Sequence, residues 1–214
     1  MKKTLLLLMI VPLLTLAQQQ TYVPGYNFEA KLEFMGLGNG IQDNYVFTSA
    51  IDTVTYLDIS GSGQSGTNQI QDLTGIEDFT DLIYLDFSGN QVYIVDLSQN
   101  TALTELRCYN NDGLQTQLTS LDVSANTALT YLDCADNALT SLDVSNNTAL
   151  TYLDCSYIPL CDLDVSNNTA LTQLHCRSIG QGNFNGSCNL TSLDVSNNTA
   201  LTVLNCSANQ LTTL

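Results

Sequence analysis

Positive charge is nearly missing from this chain of 214 residues: five Lys and Arg stand against 21 Asp and Glu, for a formal net charge of −16. Two of the five, Lys2 and Lys3, precede an N-terminal apolar run, which leaves Lys31, Arg107 and Arg177 for everything after it. A surface so poor in cations cannot gather phosphates, and nucleic acid and anionic membrane are thereby excluded as partners. Long apolar runs are equally scarce. The one present, "LLLLMIVPLLTLA", follows the two lysines and ends in a small-residue site before Gln18. It reads as a secretory signal over residues 1–17, too short and wrongly flanked for a membrane span. With no cysteine directly behind it a lipid anchor is not expected. The chain is expected to be secreted or extracellular, attached at most to a cell surface, with no transmembrane helix.

Motifs for chemistry are missing too. There is no EF-hand loop and no Gly-Gly-x-Gly-x-Asp nonapeptide, so no dedicated metal site is expected. The single histidine, His175, has no nucleophile placed beside it by any motif, and the aspartates come without the basic cluster a polysaccharide lyase would use. No catalytic site, and no cofactor, is read from the sequence.

What is there is repetition. The phrase "LTSLDVSNNTALTYLDC" at 139–155 returns with few changes, and units open at Val54, Leu82, Leu103, Leu129, Leu150, Leu171 and Leu201. In one unit the apolar set is Leu129, Leu132, Cys134, Leu139, Leu142 and Val144, with Asn137 and Asn147 at corners. "YLDC" alternates out and in with period two, the pattern of a half-buried strand. One such strand buries nothing alone; stacked on its neighbours it joins a parallel sheet around a shared interior. The second half of the unit, "LTSLDVSNN", alternates likewise and is rich in weak helix formers, so extended segments are expected on both long sides. Corner asparagines (Asn90, Asn111, Asn137 and Asn209 on one side; Asn100, Asn126, Asn147, Asn168 and Asn198 on the other) are expected to bond backbone amides left over at the turns.

The pattern L-x-x-L-x-L-x-x-N-x-L, with cysteine for the third leucine, resembles the leucine-rich repeat family, in particular short-repeat bacterial surface proteins, over about residues 54–214. The resemblance implies a β-rich solenoid, a right-handed superhelix with a parallel sheet, and a short N-terminal capping helix. The expected organisation is a signal peptide (1–17), an N-terminal cap (18–53) and leucine-rich repeats (54–214) that are C-terminally incomplete, since "NQLTTL" stops partway through a unit. In the cap, Phe28, Leu32 and Met35 at helical spacing read as one amphipathic helix. The tripeptide Asp52-Thr53-Val54 is similar to an O-glycosylation signal of some exported Bacteroidetes proteins.

Cys108, Cys134, Cys155, Cys176 and Cys206 each follow a leucine by two residues and fall at one core position of the repeat. Cys161 and Cys188 are out of this register on neighbouring coils. In an exported chain they are candidates for a disulfide, two thiols being the alternative.

The outward strand positions carry the candidate site. Before the inward leucine stand Tyr56, Tyr84, Glu105, Tyr131, Tyr152, Gln173 and Val203; after it stand Asp58, Asp86, Arg107, Asp133, Asp154, His175 and Asn205. At the ~4.8 Å spacing of adjacent strands these form an aromatic and an acidic column on one face. Tyr84, Asp86, Arg107, Tyr131, Asp133, Tyr152, Asp154 and His175 are the candidate ligand-binding residues. The resemblance places them on the face such proteins generally use for partners, so a protein or glycan ligand is expected, a rigid spacer role being the alternative. Arg107, between Asp86 and Asp133, is expected to relieve their repulsion. A second column, Asp96, Asp122, Asp143, Asp164 and Asp194, lies on the other long side. Weak divalent-cation binding there competes with aspartates that are solvated or bonded within their turns.

Overall fold

The computed structural model describes residues 18–61, 68–109, 118–178 and 188–213. The expected signal segment at 1–17, Asn111, and most of the insertion "SIGQGNFNG" lie outside the described residues.

Seven three-residue strands set the architecture: β3 (Tyr56–Asp58), β4 (Tyr84–Asp86), β5 (Glu105–Arg107), β6 (Tyr131–Asp133), β7 (Tyr152–Asp154), β8 (Gln173–His175) and β9 (Val203–Asn205). They pair in chain order as one parallel sheet, each in register with the next. Every strand starts two residues after the apolar residue that opens its unit, as the period-two alternation requires. The central leucine of each strand points inward: Leu57, Leu85, Leu106, Leu132, Leu153 and Leu174 are fully buried. Behind them the column of cysteines runs through the same core, Cys108 and Cys134 fully buried and Cys155 and Cys176 nearly so. Burial pushes these thiols well above their ordinary range, Cys176 up to about 12, so they stay protonated and act as small apolar side chains.

The opposite long side is not a second sheet. Its described residues run through repeated turns, and the one bridge there joins Ser192 to Thr213. Instead of the expected extended segment a turn opens at each serine, where the carboxylates of Asp96, Asp122, Asp143, Asp164 and Asp194 accept the Ser N–H two residues on at 2.8–2.9 Å.

The buried asparagines are donors more than acceptors, which also departs from expectation. Asn147 Nδ2 donates to the carbonyls of Val123 and Asn126 on the preceding coil, and Asn168 repeats this on Val144 and Asn147. At the other corner Asn137 donates to Cys108 and Cys134 carbonyls; Asn90 and Asn209 also accept, from the N–H groups of Ile70 and Leu190. A second ladder, unforeseen, is built by threonine: Thr130, Thr151, Thr172 and Thr202 each donate Oγ1–H to the carbonyl of the equivalent threonine one coil back.

The N-terminal region holds more than one helix. Strand β1 (Gln20–Tyr22) pairs antiparallel with β2 (Tyr45–Phe47), flanking α1 (Tyr26–Phe34) and preceding the short α2 (Thr48–Ile51). Phe28 and Leu32 are buried, whereas Met35 lies just past the helix end and is 38% exposed. Glu29 takes a buried place instead, accepting the N–H groups of Asp43 and Asn44 and so fixing the return chain. Phe28 packs on Phe79 of the first coil, ring centroids 6.3 Å apart, which covers the open end of the core.

In two successive coils the corner asparagine is absent: Ile158 and Cys188 occupy its place. There a disulfide joins Cys161 to Cys188, with Cα atoms 4.7 Å apart.

Candidate functional site

The parallel sheet presents its outward columns in register, so the sequence-derived candidates are brought together on adjacent strands. Tyr84 sits on Tyr56 with centroids 4.3 Å apart and planes 8° from parallel. Tyr131 and Tyr152 stack at 4.2 Å and 2°. Their outer faces are taken as well. The Arg107 guanidinium lies 4.6 Å from the Tyr131 centroid, and His175 tilts against Tyr152 at 5.6 Å. Arg107, Tyr131, Tyr152 and His175 therefore form one four-membered pile across β5 to β8, showing ring edges and hydroxyls outward rather than ring faces.

Arg107 stands in register between Asp86 and Asp133, and its charge pulls against the rise of the Asp133 carboxyl as expected, but its hydrogen bond goes elsewhere. Its Nε donates to Glu105 at 2.7 Å, two residues back on the same strand, the ion pair seen among the described residues. Glu105, on the same face of the same strand, meets the guanidinium that lies over Tyr131. Burial works against the charge on Arg107, but the Glu105 hydrogen bond and the neighbouring tyrosines outweigh it and the group stays cationic.

The acidic column is less solvated than its sequence suggested. Asp86 is only 7% exposed; its carboxylate accepts Ser88 N–H at 2.9 Å, Ser88 Oγ–H at 2.6 Å and Tyr84 O–H at 3.3 Å. Burial and then the Asp86 carboxylate raise the Tyr84 hydroxyl above the ordinary tyrosine range, which keeps it a donor. Asp154 accepts Ser156 N–H at 2.9 Å. Asp133 has Ala135 where its neighbours have serine and accepts a single N–H at 3.2 Å. Burial first, then the adjacent Asp154, push Asp133 up to about 6, against the bond from Ala135 and the pull of Arg107. On the other long side the serine bonds hold Asp122, Asp143, Asp164 and Asp194 below their usual range.

Sequence reasoning missed a second cation–ring contact, beside the sheet face at the corner residue Tyr157. It holds the left-handed corner position (φ 60°) that Gly89 fills at φ 67° in an earlier coil, and Arg177 lies 5.5 Å from its ring centroid. Other coils hold the same position with the small Gly89, Asp136 and Ala208, so a ring there is the signal that was available. Among the described residues no three His, Cys, Asp or Glu side chains gather to hold a metal ion, and no helix is long and apolar enough to cross a membrane.

No protein-family model matches the chain, and no curated protein matches it in sequence. Solved structures do. The functional domain of InlJ from Listeria monocytogenes, which includes a cysteine ladder, aligns at 36% identity with a TM-score of 0.67, over 92% of this chain and 47% of that one. A leucine-rich repeat protein of Leptospira interrogans aligns at 20% identity and TM-score 0.61, over 76% of this chain and 39% of its own. Internalin C2 of Listeria monocytogenes aligns at 17% identity and 0.59, over 91% and 90%. The chain thus spans less than half the length of the first two. The likenesses show a bacterial type of leucine-rich repeat solenoid.

Proposed function

Given a leucine-rich repeat solenoid, we propose that the chain is a non-catalytic binding module, exported from the cell, that engages a protein partner along the outward face of its parallel sheet. The observation that carries this reading is the pile of Arg107, Tyr131, Tyr152 and His175. Four side chains are already ordered against one another on a rigid sheet, so little conformational entropy remains to be lost on binding. The same pile weighs against a sugar ligand, because stacking on a sugar needs free ring faces and these rings have spent theirs on each other. Export rests on the N-terminal "MKKTLLLLMIVPLLTLA" and on the Cys161–Cys188 disulfide, which an oxidising compartment favours.

The test is surface adhesion to immobilised extracellular protein and to a glycan array. Tyr131→Ala with Tyr152→Ala should weaken protein adhesion about thirtyfold, on the order of 2 kcal/mol, while the melting temperature barely changes. Adhesion untouched by the pair would move the balance to a rigid spacer; adhesion to sugars alone would move it to a lectin.

A further inference from the structure

We infer that the sheet face between Arg107 and His175 receives a cationic segment of a protein partner, with a lysine or arginine of that segment seated against Asp133 and Asp154. This rests on the binding face proposed above and names the chemistry it selects.

The argument starts from what the pile leaves open. Ring faces are occupied, so the contact surface beside Tyr131 and Tyr152 consists of hydroxyls, ring edges and the carboxylates of the next column. Asp133 and Asp154 are directly opposite each other on β6 and β7, both partly buried. Two carboxylates at sheet spacing repel unless a cation lies between them.

The cation the chain itself places nearby is committed elsewhere, for Arg107 is bonded to Glu105 and laid on Tyr131. The remaining compensation is uneven along the column. Asp58 and Asp86 each accept both the N–H and the Oγ–H of a serine two residues on. Asp154 accepts an N–H, and Asp133 one longer N–H bond from Ala135. Compensation is therefore weakest where the aromatic pile is thickest. The raised affinity of Asp133 for a proton has the same origin. An incoming ammonium or guanidinium meets carboxylates with few competing donors and aromatic carbon alongside for its aliphatic stem. The turn-side column offers no such place: Asp143 and Asp164 are exposed and each is already satisfied by serine. A second copy of this strongly acidic chain is a poor occupant for the same face.

Because any polycation is drawn to a chain of formal charge −16, the test compares two charge-matched pairs. A labelled dodecapeptide alternating lysine and serine is titrated at 150 mM salt by fluorescence anisotropy, beside its glutamate–serine counterpart and a chitohexaose. Asp133→Asn with Asp154→Asn should weaken the lysine peptide at least tenfold. Asp143→Asn with Asp164→Asn should change it less than twofold. The Asp133→Asn, Asp154→Asn pair should melt no lower than the parent, which separates lost binding from lost fold. Equal losses for the two pairs would mean diffuse attraction and overturn the proposal, as would preference for the glutamate peptide or chitohexaose, or no binding of the lysine peptide at all. If the lysine peptide fails while Tyr131→Ala with Tyr152→Ala still abolishes protein adhesion, the cationic assignment falls and the binding face stands.

Discussion

Asp133 shows at the residue scale how a repeated letter acquires a different role from its place in the stack. The same Asp recurs at 58, 86 and 154, but only at 133 does alanine stand two residues on, and burial then raises its carboxyl to about 6 from an ordinary 3.8. The folded chain therefore holds this proton more tightly than the unfolded chain does. Below about pH 4 both states are protonated and the residue costs nothing; as pH rises through 6 the buried charge destabilises the fold. Asp133→Asn should accordingly stabilise the protein at pH 7, by about 1–2 kcal/mol after discounting for solvent screening, and remove that part of the slope between pH 4 and 6 in urea melts. The inward leucines and cysteines could be read from the alternation because burial is the one demand placed on them. The described corner asparagines stand where the repeat implies; Asn90 and Asn209 accept backbone N–H groups as expected, but most donate to carbonyls instead, since an amide does both and the sequence does not say which end meets the backbone. Thr130 and Thr151 gave no signal at all: a threonine on a strand edge looks alike whether it bonds water or the carbonyl of the coil before it.

At the scale of elements, the two long sides of a coil share an alternating pattern yet differ in structure: one pairs coil to coil as a parallel sheet and the other runs through turns. Hydrophobic periodicity registers which residues go inward and is blind to which side pairs its backbone. The cap was legible as a helix and no further, its β1–β2 pairing depending on partners far apart in the chain (Gln20 with Phe47, Tyr22 with Tyr45) that no period connects. Coils five and six carry the clearest element-level consequence. Asn137 ties its corner to the preceding coil, whereas Ile158 and Cys188 cannot donate, and the Cys161–Cys188 bond spans that gap across 27 residues. Cys161→Ser with Cys188→Ser should lower stability by about 2–4 kcal/mol, as expected for a loop of that length. Hydrogen exchange should locate the loss near Leu190 and β8, with the amides of β4 to β6 unaffected, since stacked repeats are coupled mainly to their neighbours. A uniform loss along the stack would contradict a local role for the bond.

The whole molecule is governed by its charge and by the direction of its bonds. Carboxylates on both long sides repel along the stack, so the melting temperature should rise with added sodium chloride. Calcium chloride at matched ionic strength should raise it equally, because the turn-side aspartates are already bonded to serine N–H groups; a further calcium-specific rise would show ligation instead. The face was legible in outline, two columns of named residues; its working geometry was not, because stacking and the choice of Arg107 for Glu105 depend on rotamers that strand register leaves free. The ladders have one further consequence. Thr130, Thr151 and Thr172, and Asn126, Asn147 and Asn168, all send their cross-coil hydrogens toward the coil made before them. The acceptors for these side-chain bonds are thus already in place on the part of the chain that left the ribosome earlier, while backbone N–H groups such as those of Cys134 and Cys155 wait for the coil that follows. A polypeptide that emerges N-terminus first can wind itself up turn by turn, each finished turn offering side-chain acceptors to the next.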